Sequence, residues 1–349
     1  MQTKTLKDLI EINTIKDLEN NKIIDYLKET LSKLNFQFKE IGNKKKVLIA
    51  TRGNSNIGFI CHTDTVDKSS MWSKNPLTLT KEENKLYGLG TSDMKGGIAA
   101  LLEALKNLPL DYPCTCYFTY DEELNFGGIK TLIKNETTFP KVLIFPEPTN
   151  NVPIIANKGC LEFEMTVFGK SAHSSTPDLG DNAILKTIKI IQELEIFQKK
   201  LNQETDETYT IPYTTMNIAT IKGGTTINKV PDTCLLKFDF RTISKSQETK
   251  IFNKLTSLSK KYNIKIKELN NVSSSKNNNN LFIKEIEKIT NQKVSGLNYL
   301  TEASFFKDKD ILILGPGPIT AHQKDEYIEE KSYLETIELF KKIIKKYKD

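Results

Sequence analysis

Short, nearly continuous apolar runs recur along the chain, at 46–51 (KVLIAT), 57–62 (IGFICH), 114–120 (CTCYFTY), 141–147 (KVLIFPE) and 310–317 (DILILGPG). Runs of this length without alternation predict strands buried on both faces. Between them the spacing becomes helical. After Asp93, the residues Ile98, Leu101, Leu102 and Leu105 share one face, and near the C-terminus Tyr333, Ile337, Phe340 and Ile344 do the same. Buried strands alternating with amphipathic helices predict an α/β fold with a mostly parallel central sheet.

The middle of the chain has a different period. The segment 159–169 (GCLEFEMTVFG) alternates, with Leu161, Phe163, Met165 and Val167 in phase, and 234–242 (CLLKFDFRT) alternates too. Asn182 to Lys199 reads as an amphipathic helix between them. This pattern predicts a half-exposed antiparallel sheet with helices on one face. An inserted α+β domain is therefore expected over 159–266, with 1–158 and 267–349 forming the first domain. The polar stretch 270–280 (NNVSSSKNNNN) reads as a solvated loop near the return to that domain. There is no internal repeat.

Composition narrows the partners. A chain of 349 residues exceeds one small core, in keeping with two domains. The 38% apolar and 27% charged residues fit a globular protein and argue against disorder. The net charge of +6 is spread over dispersed lysines rather than a basic stripe, which argues against nucleic acid. The N-terminal segment has no apolar core of a signal peptide, and no run reaches the length of a membrane span, so a cytoplasmic protein is expected. Cys61, Cys114, Cys116, Cys160 and Cys234 are odd in number and form no CxxC pair, as free buried thiols would be.

Candidate chemistry gathers at the ends of the apolar runs. His62 and Asp64 (CHTDT) follow the second run, Asp121, Glu122 and Glu123 (DEE) the third, Glu147 (FPEPT) the fourth and His322 (TAHQKDE) the last. Asp93 (GTSDMKGG) precedes a helix. Singly these residues have ordinary readings: a core histidine, a helix cap, solvated acids, a turn residue. Their shared position at the C-terminal ends of strands is what open α/β sheets use for sites. Three clustered carboxylates need cations. Asp93, Glu123 and Glu147 against two divalent ions leave about one positive charge, which suits a hydroxide between paired metals. Histidine and carboxylate donors favour zinc, with cobalt or manganese possible.

The segments HTDTVDKSSMWSKNPLTLTKEENKLYGLGTSDMKGG, DEE, EPT, GKSAHSSTPDLGDNAI and GPGPITAHQKDEYIE resemble the M20 metallopeptidase family over nearly the whole chain from about residue 57. Within it, YGLGTSDMKG and NYLTEASFF are most similar to the acetylornithine deacetylases, and the succinyl-diaminopimelate desuccinylases come next. The resemblance implies a zinc-hydrolase domain interrupted by a ferredoxin-like lid that also forms a homodimer. It implies one zinc on His62, Asp93 and Glu147 and a second on Asp93, Glu123 and His322, with Asp64 orienting His62. Glu122 becomes the general base, moving a proton from the attacking water to the leaving amine. His173 and Asn228 would stabilise the oxyanion, and Arg241 would clamp the substrate α-carboxylate. Glu302 would meet a substrate ammonium. The implied reaction is hydrolysis of an N-acyl amino acid, N2-acetyl-L-ornithine first, in arginine biosynthesis. The rival expectations are the succinyl diacid, a dipeptide, or a catalytically silent dimeric binding protein.

Overall fold

The computed structural model describes residues 3–15, 20–68 and 71–348. These divide into two compact units, one of 1–155, 277–295 and 305–349, the other of 156–276 and 296–304.

In the first unit the sheet order is Gln37–Ile41, Val47–Arg52, Cys114–Thr119, Ile57–His62, Val142–Phe145 and Asp310–Ile313. The four strands from Cys114–Thr119 to Asp310–Ile313 run parallel, and the two at the other edge are antiparallel. The mostly parallel core anticipated from the apolar runs is present. Its parallel strands all deliver their C-terminal ends to one edge. The run 141–147 contributes only Val142–Phe145 to the ladder, because Pro146 and Pro148 have no N–H to offer. The expected helices are Lys95–Lys106 and Glu330–Lys346. Ile98, Leu101, Leu102, Leu105, Tyr333, Ile337, Phe340 and Ile344 are all buried in one cluster with the sheet. Phe340 meets Phe59 edge to face at 5.3 Å. Each such fully buried side chain contributes about 1.5–3 kcal/mol of transfer free energy.

The second unit runs strand Gly159–Phe168, helix Ala183–Leu201, strands Thr215–Gly223 and Thr233–Thr242, helix Lys245–Lys261 and strand Ile264–Val272. Sheet order is Thr215–Gly223, Thr233–Thr242, Gly159–Phe168, Ile264–Val272, antiparallel throughout. This is the βαββαβ arrangement of ferredoxin-like domains. The alternation places Leu161, Phe163, Met165 and Val167 in the core with Leu236, Phe238 and Phe240. Asn182 caps the first helix, its side-chain oxygen accepting from the N–H groups of Ile184 and Leu185 at 3.0 and 3.2 Å.

The stretch 270–280 is not a solvated loop. The last strand of the second unit continues to Val272, which pairs with Cys160, and Ser275 and Lys276 pair with Asn157 and Ala156. Val272, Ser273, Ser275 and Asn277 are buried. The serines are satisfied internally: the Ser273 hydroxyl and the Ser274 N–H donate to the buried Glu248 carboxylate at 2.8 and 3.1 Å. Backbone pairing and one buried acid hold a segment whose side chains look like those of a loop, and they carry the second unit to 276. All five cysteines are free and buried. Among the described residues no helix is long and apolar enough to cross a membrane.

Candidate metal centre

The parallel strands lead to the candidate side chains at the common edge. His62 is the last residue of its strand, and Thr63 extends the pairing by donating to the Thr119 carbonyl at 3.0 Å. Glu122 and Glu123 follow the neighbouring strand and Glu147 the next, while His322 lies beyond Asp310–Ile313. Asp93 comes from the loop before the Lys95–Lys106 helix. Its side chain does not cap that helix, whose N-cap is Met94. It faces His62 instead, with Oδ1 2.9 Å from Nε2. Glycine brings the start of this helix close to the neighbouring strand end. A Cβ on Gly97 would sit 1.9 Å from the Pro146 carbonyl oxygen, so the helix start presses directly on the turn that presents Glu147.

Two triads result, His62–Asp93–Glu147 and Asp93–Glu123–His322, each with donor atoms within 4.8 Å of one another and both containing Asp93. His62 Nε2 lies 3.8 Å from Glu147, and His322 Nε2 lies 3.0 Å from Glu123 and 3.6 Å from Asp93. The donor set fits a metal pair on two further counts. His62 Nδ1 donates to the Asp64 backbone carbonyl at 3.1 Å, which leaves Nε2 as the ligating nitrogen of the neutral ring. Glu123 Oε1 is buried with no hydrogen-bond partner, an acceptor whose natural complement is a cation. The surrounding carboxylates also favour the charged form of both histidines. Burial alone would lower the His62 pKa, but the facing carboxylates of Asp93, Glu147 and Glu122 outweigh it and raise it well above the usual value. The Glu123 hydrogen bond lifts His322 to about 8. Burial would raise the Asp93 carboxyl, yet the hydrogen bond to His62 holds it below the usual range.

The three consecutive acids have separate fates. Glu123 joins the second triad. Asp121 is 3.7 Å from the Lys45 ammonium, and both line a cavity of about 100 Å³ with Asp64 and Glu123. Glu122 belongs to neither triad. Asp64 holds this turn in place: its carboxylate oxygens accept from the N–H groups of Glu122 and Glu123 at 3.2 and 3.3 Å. The expected carboxylate contact to His62 is longer, at 3.7 Å, because the carbonyl of the same residue takes the ring proton. Lys45 was not legible as a site residue. It is one lysine of a run of three, and its partner lies 76 positions along the chain.

The remaining candidates lie in the second unit. His173 is exposed and forms an isolated β-bridge with Lys229, and Ser174 N–H donates to the Asn228 carbonyl, so His173 and Asn228 sit on adjoining strands of chain. His173 Nδ1 accepts from the Ser175 N–H at 3.2 Å, which puts the proton of the neutral ring on Nε2. Arg241 is on the half-exposed face opposite Phe238 and Phe240, and its Nε donates to Asp239 at 3.1 Å. Glu302 opens a 3-10 helix and is only 1% exposed.

Residues 58–346 match the family model described as peptidase family M20/M25/M40. An acetylornithine deacetylase of Buchnera aphidicola subsp. Acyrthosiphon pisum is 35% identical over 98% of this chain and 96% of its own. The fold is that of aminopeptidase PepT from Bacillus cereus, with a TM-score of 0.80, 20% identity and coverage of 99% and 98%. It is also that of the YXEP protein of Bacillus subtilis, a dinuclear metal-binding M20 peptidase, with a TM-score of 0.72, 12% identity and coverage of 99% and 98%.

Proposed function

The chain belongs to peptidase family M20/M25/M40, hydrolases of amide bonds, and we propose that its substrate is N2-acetyl-L-ornithine, cleaved to L-ornithine and acetate in arginine biosynthesis. The observation that carries the chemistry is the pair of triads sharing Asp93. His62, Asp93 and Glu147 would hold one ion, and Asp93, Glu123 and His322 the other, zinc by donor type. When bound, the ions polarise the acyl carbonyl and bring the pKa of water down toward about 7.

The chain's own groups complete the reaction. Glu122 takes one proton from the attacking water as oxygen bonds to the acyl carbon. It returns that proton to the amide nitrogen as the C–N bond breaks, and the second water proton leaves the new carboxyl group for the amine, giving a carboxylate and an ammonium. The Asp64 carboxylate, bonded to the N–H groups of Glu122 and Glu123, holds the base still against the neighbouring ligand. The Nε2–H tautomer of His173 suits a donor to the tetrahedral oxyanion, and Asn228 beside it adds a second. In this reading the second unit acts as a lid, and these donors serve the site across a homodimer. Arg241 has its Nε engaged by Asp239, which leaves the substrate carboxylate to its Nη groups.

Substrate choice is assigned to Glu302. A buried carboxylate discriminates strongly, because a cation meeting it is weakly screened and a second acid is repelled. Glu302→Gln is expected to lower kcat/KM for N2-acetyl-L-ornithine by about 10–100-fold, the range of one charge-assisted hydrogen bond. N-acetyl-L-norvaline, which lacks the side-chain ammonium, should be turned over by parent and variant alike. Equal losses on both substrates, or none on either, would remove Glu302 from recognition.

A further inference from the structure

The loop carrying His322 does more than supply a ligand. Four residues on, the Glu326 side chain is buried, and its carboxylate is ringed by backbone donors. Oε1 accepts from the N–H groups of Ser92 and Asp93 at 2.7 and 3.0 Å, and Oε2 accepts from Gly90 N–H at 2.9 Å. The Glu326 carbonyl accepts from Gly88 N–H at 3.0 Å. Three backbone N–H groups thus converge on the two oxygens of one buried side chain. Gly90, at φ +86°, supplies the left-handed residue that turns its N–H inward.

We infer that Glu326 is a positioning residue for the metal pair: its carboxylate locks the turn presenting Asp93 to the loop presenting His322. Asp93 is the residue common to both triads, and its own N–H is one of the three donors. His322 is on the same loop as the clamp, so a shift of that loop moves Glu326 and His322 together. Ser92 adds a lighter tie, its hydroxyl donating to the Pro318 carbonyl at 3.3 Å and accepting from Thr320 N–H at 3.2 Å. The adjacent Asp325 makes a similar clamp elsewhere, accepting from the N–H groups of Ser73 and Lys74 at 2.8 and 3.3 Å. Asp325 therefore serves as an internal control: it anchors the same loop without touching the Asp93 turn.

The test is zinc affinity of the metal-free full-length protein, titrated against a chromophoric chelator, with thermal unfolding of the metal-free form measured in parallel. Glu326→Gln sets an amide N–H2 against backbone donors and is expected to weaken zinc binding by about 10–100-fold, the usual cost of losing a group that orients ligands. Asp325→Asn is expected to keep the parental zinc affinity whatever it does to unfolding. A Glu326→Gln affinity less than tenfold below the parent overturns the inference, as does an equal loss in Asp325→Asn. A purely structural glutamate would lower the unfolding temperature and leave the zinc affinity of the folded protein unchanged. If Glu326→Gln does not fold, Glu326→Asp decides: it keeps both acceptors but withdraws them, and the same tenfold criterion applies. The inference rests on Asp93 and His322 being ligands, and Asp93→Asn separates the two failures. If Asp93→Asn loses zinc while Glu326 variants keep it, only the clamp is wrong.

Discussion

Replacing Glu122 by alanine is expected to lower kcat by roughly 10²–10⁴-fold, the range for losing a general base, while bound metal stays at two ions per chain. Glu122 lies outside both triads, so in the proposed function its carboxylate holds neither ion. Its backbone is anchored independently of its side chain, through the N–H bond to Asp64 at 3.2 Å, and that anchor also steadies Glu123. Truncation should thus remove the proton carrier and little else. Steady-state rates with metal analysis on the same sample check this. Lost activity accompanied by lost metal would make Glu122 a ligand, and retained activity would move the base to another carboxylate.

Asp93→Asn is expected to have the larger effect on the centre itself. Each of the other four proposed ligands belongs to one triad, and Asp93 alone belongs to both. The change removes one of the three carboxylate charges that would balance two divalent cations, in a site where burial would magnify the imbalance. It also replaces the carboxylate 2.9 Å from His62 Nε2 with a neutral amide. Metal content after dialysis should fall from two ions to one or none, with turnover lost. His322→Ala should lose only the second ion. Two ions retained by Asp93→Asn would mean that the triads are not the ligand sets.

Much of this site could be read from sequence because parallel strands impose a rule. When strands run the same way, residues at their C-terminal ends meet. His62, Glu123, Glu147 and His322 each terminate or follow an apolar run, so four separate motifs converge once the sheet is parallel. The helix phases followed equally directly from Ile98 to Leu105 and from Tyr333 to Ile344. Features set by backbone geometry were not accessible in this way. The Asp64 carbonyl, not its carboxylate, takes the nearer contact to His62, and no residue pattern encodes that choice. The 270–280 stretch reads as loop by its asparagines and serines, yet its backbone pairs and Glu248 satisfies it. Residues 296–304, with Glu302, join the second unit, whereas the sequence pattern puts the return to the first at 267. The Glu326 clamp is likewise a backbone-to-carboxylate arrangement, and an acid beside another acid in KDE carries no such signal.

Amine release by the zinc-loaded protein decides the substrate, with kcat/KM compared for N2-acetyl-L-ornithine, N-succinyl-L,L-diaminopimelate and a set of dipeptides. The proposed function predicts that acetylornithine leads the others by a large factor. A lead by the succinyl diacid or by a dipeptide would keep the amide hydrolysis and contradict the substrate, and no release from any of them would contradict both.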